Sequence, residues 1–227
     1  MPKEGRSSGT RNRILEVAES QFAVKGYSGA HLQSLAEEVG VQKTALYYYF
    51  PSKRALYVAV LERMLETFDH VISTATSRGA PSAETLGLLL DDLNEVLAQH
   101  PNYSQILIRI FVDRIEIDAS AITPILERII NPLLQFYAAG VERSEFRKLS
   151  SRHVFLTVLG ASIFHYAAGD SSSDILGVDD VFSGEAVEWR RCEVRRLLMQ
   201  GILPGSESDQ MTETPQPIAR RGTQRRR

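Results

Sequence analysis

An all-α fold is predicted by three features of the sequence. Apolar residues recur at three- and four-residue spacing through most of the chain. No stretch alternates apolar and polar residues as a half-buried strand would. Near the N-terminus, two short helical patterns are joined through a glycine. The expected architecture is a three-helix head joined through a fourth helix to a larger helical bundle.

The elements follow in order. The first helix is expected to begin at Thr10, a suitable N-cap, with Ile14, Ala18 and Phe22 at four-residue spacing, and to stop at Gly26. A second runs from about His31 to Val39 on Leu32, Leu35, Ala36 and Val39, and Gly40 supplies the tight turn after it. The third covers roughly Gln42 to Phe50. Pro51 and Ser52 separate it from a fourth, because proline disfavours helical geometry in the residue before it and serine can cap the next helix; Leu56, Val60, Met64 and Phe68 carry that pattern. Further helices are expected over about Ser82 to Gln99, Tyr103 to Ile117, Thr123 to Val141 with Pro132 inside, and Arg152 to Ala168. That last pattern is apolar almost all round and so is expected to be buried on more than one side. Residues 169–180 read as a polar loop, Ser183 to Gly201 as the final helix. The segment PGSESDQMTETPQPIARRGTQRRR lacks the apolar residues a core needs.

Composition sets outer limits. The 227 residues are 43% apolar and 24% charged, ordinary usage for a globular chain. The single cysteine, Cys192, excludes an internal disulfide and any four-cysteine metal site, and with no apolar run long enough to span a bilayer a cytoplasmic protein is expected. The five histidines, His31, His70, His100, His153 and His165, do not pair at metal-ligand spacing, so neither metal nor cofactor is expected. There is no nucleophile beside a base, no paired carboxylates in context and no phosphate-cradling glycine loop, so the chain does not read as an enzyme. Net charge is −2, but it is unevenly spread: +3 over residues 1–54, −7 over 55–203 and +2 over 204–227. A basic head on an acidic body points its N-terminal part at an anionic partner.

The stretch GVQKTALYYYFPSKRALY raises the functional question. Adjacent side chains on a helix point about 100° apart, so four consecutive rings, Tyr47 to Phe50, cannot all be buried. Leu46 and Phe50 share a core stripe, Thr44, Ala45 and Tyr48 lie opposite, and Tyr47 and Tyr49 lie on the flanks. An overfilled amphipathic helix explains the run in isolation. Two short helices about a glycine turn, the second outwardly polar and aromatic, describe a helix-turn-helix, whose second helix enters the major groove of DNA. Gln42, Lys43 and Thr44 stand at its leading end and can donate hydrogen bonds to bases; the tyrosine hydroxyls and Lys53 suit phosphate oxygens.

TRNRILEVAESQFAVKGY and LAEEVGVQKTALYYYFPSKRALYVAVL resemble the DNA-binding domain of the tetracycline-repressor (TetR) family of bacterial transcriptional regulators. The likeness covers about residues 10–61 and rests on Ile14, Ala18, Phe22, Gly26, Ala36, Gly40, Val41, Leu46, Tyr47, Phe50, Lys53 and Leu56. It implies DNA contacts from Lys43, Thr44, Tyr47, Tyr48, Tyr49 and Lys53. Ala30 and His31, where the family favours hydroxyl residues, Ala45 in place of threonine, and Tyr49 in place of histidine depart from its pattern. The resemblance further implies a homodimer on a near-palindromic operator, with a C-terminal pocket whose ligand weakens DNA binding.

The expected organisation is a flexible basic arm at 1–9, a helix-turn-helix DNA-binding domain at 10–54, a ligand-binding and dimerisation domain at 55–203 and a disordered tail at 204–227. Candidate ligand contacts are Leu93, Leu107, Phe111, Arg114, Phe136 and His165, of which Arg114 also fits a solvated ion pair and His165 a satisfied core histidine. The abundance of leucine, isoleucine and phenylalanine suggests a small, largely apolar effector. Candidate dimer contacts are Leu159, Ser162, Tyr166, Val187, Val194 and Leu198, beside small residues that permit close helix approach; packing within one chain explains them almost as well. The function expected is a ligand-responsive regulator, most often a repressor, with an all-α small-molecule carrier lacking DNA function as the alternative.

Overall fold

The computed structural model describes residues 4–112 and 119–205, without the side chains of 4–8, 111, 112, 119–122 and 125. Among the described residues the chain is all helix: α1 Glu4–Gly29, α2 Leu32–Val39, α3 Lys43–Tyr49, α4 Lys53–Ser77, α5 Ala83–Gln99, α6 Pro101–Val112, α7 Ala119–Glu142, α8 Ser151–Ala167, α9 Asp170–Leu176 and α10 Gly184–Ile202. None of these helices is long and apolar enough to cross a membrane.

The head forms because α1, α2 and α3 each bury one face in a shared core: Ile14, Leu15, Ala18 and Phe22 from α1, Leu35, Ala36 and Val39 from α2, and Leu46 from α3. Gly40 takes the left-handed conformation expected of it (φ 79°). The amide of Val41 then reaches back to the Ala36 carbonyl at 2.9 Å, which ends α2 and turns the chain into α3. Helix α4 follows at once, capped by Ser52, whose hydroxyl accepts the Ala55 amide at 3.0 Å. Its 25 residues make a rod about 37 Å long. One end packs on α1, and the remainder lies against α5 and α7. Helix α6 bridges α1 and α8, and α10 closes the bundle on α5 and α8.

The structure differs from the expected elements in four places. Helix α1 starts at Glu4, not Thr10, and after a break at Gly26 (φ 70°, ψ 174°) helical geometry resumes and runs on to Gly29. Helix α4 continues nine residues past Phe68, since Val71, Ile72 and Ala75 extend the buried stripe and the hydroxyls of Ser73, Thr76 and Ser77 bond back to carbonyls of their own helix. Helix α7 begins ahead of the Thr123–Pro124 pair; a proline so near the start removes little of the hydrogen-bond ladder. The polar segment after Gly169 contains α9, bounded by two positive-φ glycines, Gly169 and Gly177. It is anchored by buried Ser173, whose hydroxyl accepts the Val181 amide at 3.2 Å.

Candidate nucleic-acid interface

Helix α3 is held from behind and bare in front. Leu46 is fully buried (0% exposed) and Phe50 nearly so, while Gln42, Lys43, Thr44, Tyr47 and Tyr48 face solvent. Tyr48 is the extreme case at 82% exposed, its ring meeting the edge of half-buried Tyr49 with centroids 5.3 Å apart. The Arg11 guanidinium lies 5.3 Å from the centroid of Phe50 and braces the end of α3 from α1. Six of the seven residues expected to meet DNA therefore lie on or directly beside one short helix whose buried stripe points the other way. A helix so placed can donate hydrogen bonds from Lys43, Thr44 and the tyrosine hydroxyls to acceptors on a duplex.

Lys53, the seventh, is differently engaged. Its ammonium donates to the Ser28 carbonyl at 3.1 Å and stands 4.8 Å over the Tyr27 ring, and burial pulls its pKa below the ordinary 10.5. It straps the start of α4 to the end of α1, leaving its other N–H groups for anything outside. Tyr27 in turn makes edge contacts with Tyr57, and Tyr57 with Phe22, so the strap closes on a buried aromatic cluster.

In the body, α4 to α8 and α10 enclose a cavity of about 120 Å³. Leu93, Leu107 and Phe136, three of the candidate ligand contacts, line it together with Leu133, Val154, Phe155 and Val158, which sequence reasoning did not single out. Their side of each helix was visible in the spacing; which neighbour faced it was not. The lining is hydrocarbon apart from Ser151, Ser162 and the Tyr137 ring, whose hydroxyl donates instead to the Arg147 carbonyl at 2.7 Å. The Phe111 side chain and the whole of Arg114 fall outside the described residues.

Two sets of expected contacts are corrected. His165 does not line this cavity. It is 7% exposed in the core beside Tyr166, ring centroids 4.7 Å apart, and burial together with the nearby Arg190 charge lowers its pKa to about 4. Among the expected dimer contacts, Leu159 and Ser162 line the cavity, and Tyr166, Val194 and Leu198 are buried in the chain's own core. The Tyr166 hydroxyl donates to Asn94 Oδ1 at 3.0 Å, and Asn94 Nδ2 donates to the carbonyl of half-buried Val187 at 3.3 Å, which locks α8 and α10 onto α5. Tyr166, Val194 and Leu198 therefore have little surface left for a second chain. The outward apolar residues are others: Leu156 and Phe164 on α8, Ile175 on α9, and Trp189 and Leu197 on α10. Helix α8 is thus buried against α5, α6, α7 and α10, as expected, and still bare along one stripe. Leu156 and Phe164 lie eight residues apart on one stripe, as do Trp189 and Leu197, a spacing the sequence already carried.

Known proteins share both parts of this design. The model of "Bacterial regulatory proteins, tetR family" matches residues 14–60, which span most of α1, all of α2 and α3, and the start of α4. The transcriptional regulator RutR of Escherichia coli K12 is 29% identical over 203 residues, covering 87% of this chain and 92% of RutR. Among solved structures, FadR of Bacillus subtilis in complex with stearoyl-CoA aligns with a TM-score of 0.62 at 19% identity, over 83% of this chain and 97% of FadR. AibR in complex with isovaleryl coenzyme A and operator DNA aligns with a TM-score of 0.67 at 16% identity, over 84% of this chain and 98% of AibR. The helix-turn-helix head over residues 14–60 is thus that of the tetR family of bacterial regulatory proteins, and the helical body shares its fold with these solved regulators along nearly its whole length.

Proposed function

We propose that this regulator acts in the cytosol as a homodimeric repressor, that residues 10–54 bind a near-palindromic operator, and that an apolar effector in the body of residues 55–203 releases it. The observation that carries this reading is the division within α3: Leu46 is buried, whereas Lys43, Thr44, Tyr47 and Tyr48 are all turned outward. Exposing two tyrosine rings forfeits apolar burial, and an occupant for that face accounts for the loss. A carrier without DNA function gives no reason for it.

In the dimer, two copies of α3 must stand about 34–36 Å apart to enter successive major grooves. Effector binding favours another separation and shifts the population away from the binding form. The cavity lining suits a hydrocarbon chain or ring system, with Ser151 and Ser162 as its nearest hydroxyls. The acyl-coenzyme A ligands of the FadR and AibR structures support an acyl effector for this chain too.

A salt-titrated gel shift on DNA upstream of its gene tests operator binding. Affinity should fall steeply as salt rises, since phosphate contacts release counterions. A protein with no preference for that DNA over unrelated duplex sinks the regulator reading. The effector is found by thermal shift across acyl-coenzyme A esters of different chain length, because a ligand bound only by the native state raises Tm.

A further inference from the structure

We infer that Arg109 is a positioning residue for operator binding, tying the wall of the cavity to the recognition helix by closing two backbone carbonyls beside the break in α1. The inference rests on the DNA-binding function proposed above. Leu107 and Arg109 are two residues apart on α6 and so point about 200° away from each other. Leu107 lines the cavity, and Arg109 reaches the opposite way into the head. Its Nε donates to the Ala23 carbonyl and its Nη2 to the Val24 carbonyl, each at 2.8 Å.

Those carbonyls sit just before Gly26, whose φ of 70° and ψ of 174° interrupt the helix. The last turn before such a break leaves carbonyls without helical donors, and a guanidinium is the side chain shaped to serve two at once. On the far side of the break, the Ser28 carbonyl takes the Lys53 ammonium at 3.1 Å. Lys53 opens α4, three residues after the end-cap of α3. The segment Ala23–Ser28 is therefore pinned by one cation from the body and one from beside the recognition helix. A shift of α6 at the cavity is handed across that segment to α3. The two carbonyls Arg109 closes are main-chain atoms, so this link does not depend on which side chains stand at 23 and 24.

The test compares full-length Arg109→Ala and Arg109→Lys with the unaltered chain by amide hydrogen exchange and by binding to DNA from upstream of its gene over a salt series. In Arg109→Ala, exchange at residues 27–30 and 43–50 should accelerate about tenfold or more while the interior amides of α5 keep their rates. Operator affinity should fall about tenfold with the salt slope unchanged, since two charge-assisted hydrogen bonds are lost and no phosphate contact is. Lysine should restore part of both. Unchanged exchange around the break overturns the inference, as does equal acceleration in α5, which marks a general stabiliser. A salt slope shallower by about one unit overturns it too, by showing Arg109 itself on phosphate. Should the unaltered chain bind no duplex at all, the regulator reading fails and the operator role with it; the exchange pattern then decides separately whether Arg109 straps body to head.

Discussion

Gly140 and His165 show how much single positions fix here. A Cβ on Gly140 would stand 2.1 Å from a carbon of the Phe146 ring, and that ring is buried and stacked on Tyr137 at 5.6 Å, so it has nowhere to retreat. Gly140→Ala should lower stability by about 1–3 kcal/mol despite alanine's better helix propensity, measured as a lower urea midpoint with unchanged slope. His165 bears on pH. Its folded-state pKa is lowered to about 4, so the unfolded chain takes up a proton near pH 6.5 that the folded chain refuses. The contribution is complete above pH 6.5 and is lost as pH falls from there toward 4. At pH 5 the loss should be about 2 kcal/mol, and His165→Leu should remove that share of the acid slope. Identical pH profiles for the two proteins would refute the assignment. Phe146 and His165 were both plain in the sequence as residues; that one would pack against a glycine and the other be buried within reach of the Arg190 charge was not, since neither pairing follows a helical spacing.

At the scale of the element, α3 separates folding from recognition. Leu46→Ala should cost about 2–5 kcal/mol by opening a cavity under the helix, and DNA binding should fail along with stability. Tyr48→Ala should leave thermal unfolding within about 0.5 kcal/mol, because the ring is bare, and still weaken operator binding about five- to tenfold for one lost hydrogen bond. A Tyr48→Ala protein of undiminished affinity would remove that residue from the interface. The head was legible in advance because its signals are local: Gly40 needs a left-handed turn, Ser52 a helix to cap, and Leu46 with Phe50 a common stripe. Helix α9 was not, since its hold on the fold is the buried Ser173 hydroxyl and two glycine turns instead of an apolar period. The bare stripe on α8 was hidden for a related reason. A helix apolar on every side announces several neighbours without saying whether they belong to the same chain, and Phe164, at 64% exposed, has none here to cover it.

For the whole molecule, the homodimer proposed above would seat its second copy on the outward apolar residues of α8 and α10. Trp189→Glu combined with Leu197→Glu should convert the dimer to monomer in sedimentation, with helix content unchanged, because both side chains lie outside the core and Leu197 is 67% exposed. Operator affinity should fall with the dimer, as each monomer carries only one α3. A dimer that survives both substitutions moves the seam elsewhere. The polar belt around α10 supports its own position: Asp91 on α5 accepts from Arg191 at 3.2 Å and from Arg195 at 2.5 Å, so charge on that side is spent within the chain.

The near-absence of polar groups in the cavity bears on what kind of signal such a protein can resolve. Discrimination there is left to length and girth, and one methylene more or less in a greasy pocket is worth only about 1–3 kcal/mol. A sensor built this way answers to a homologous series with graded sensitivity. In the ligand-responsive role proposed above, it would report the abundance of a class of metabolites, not the presence of a single compound.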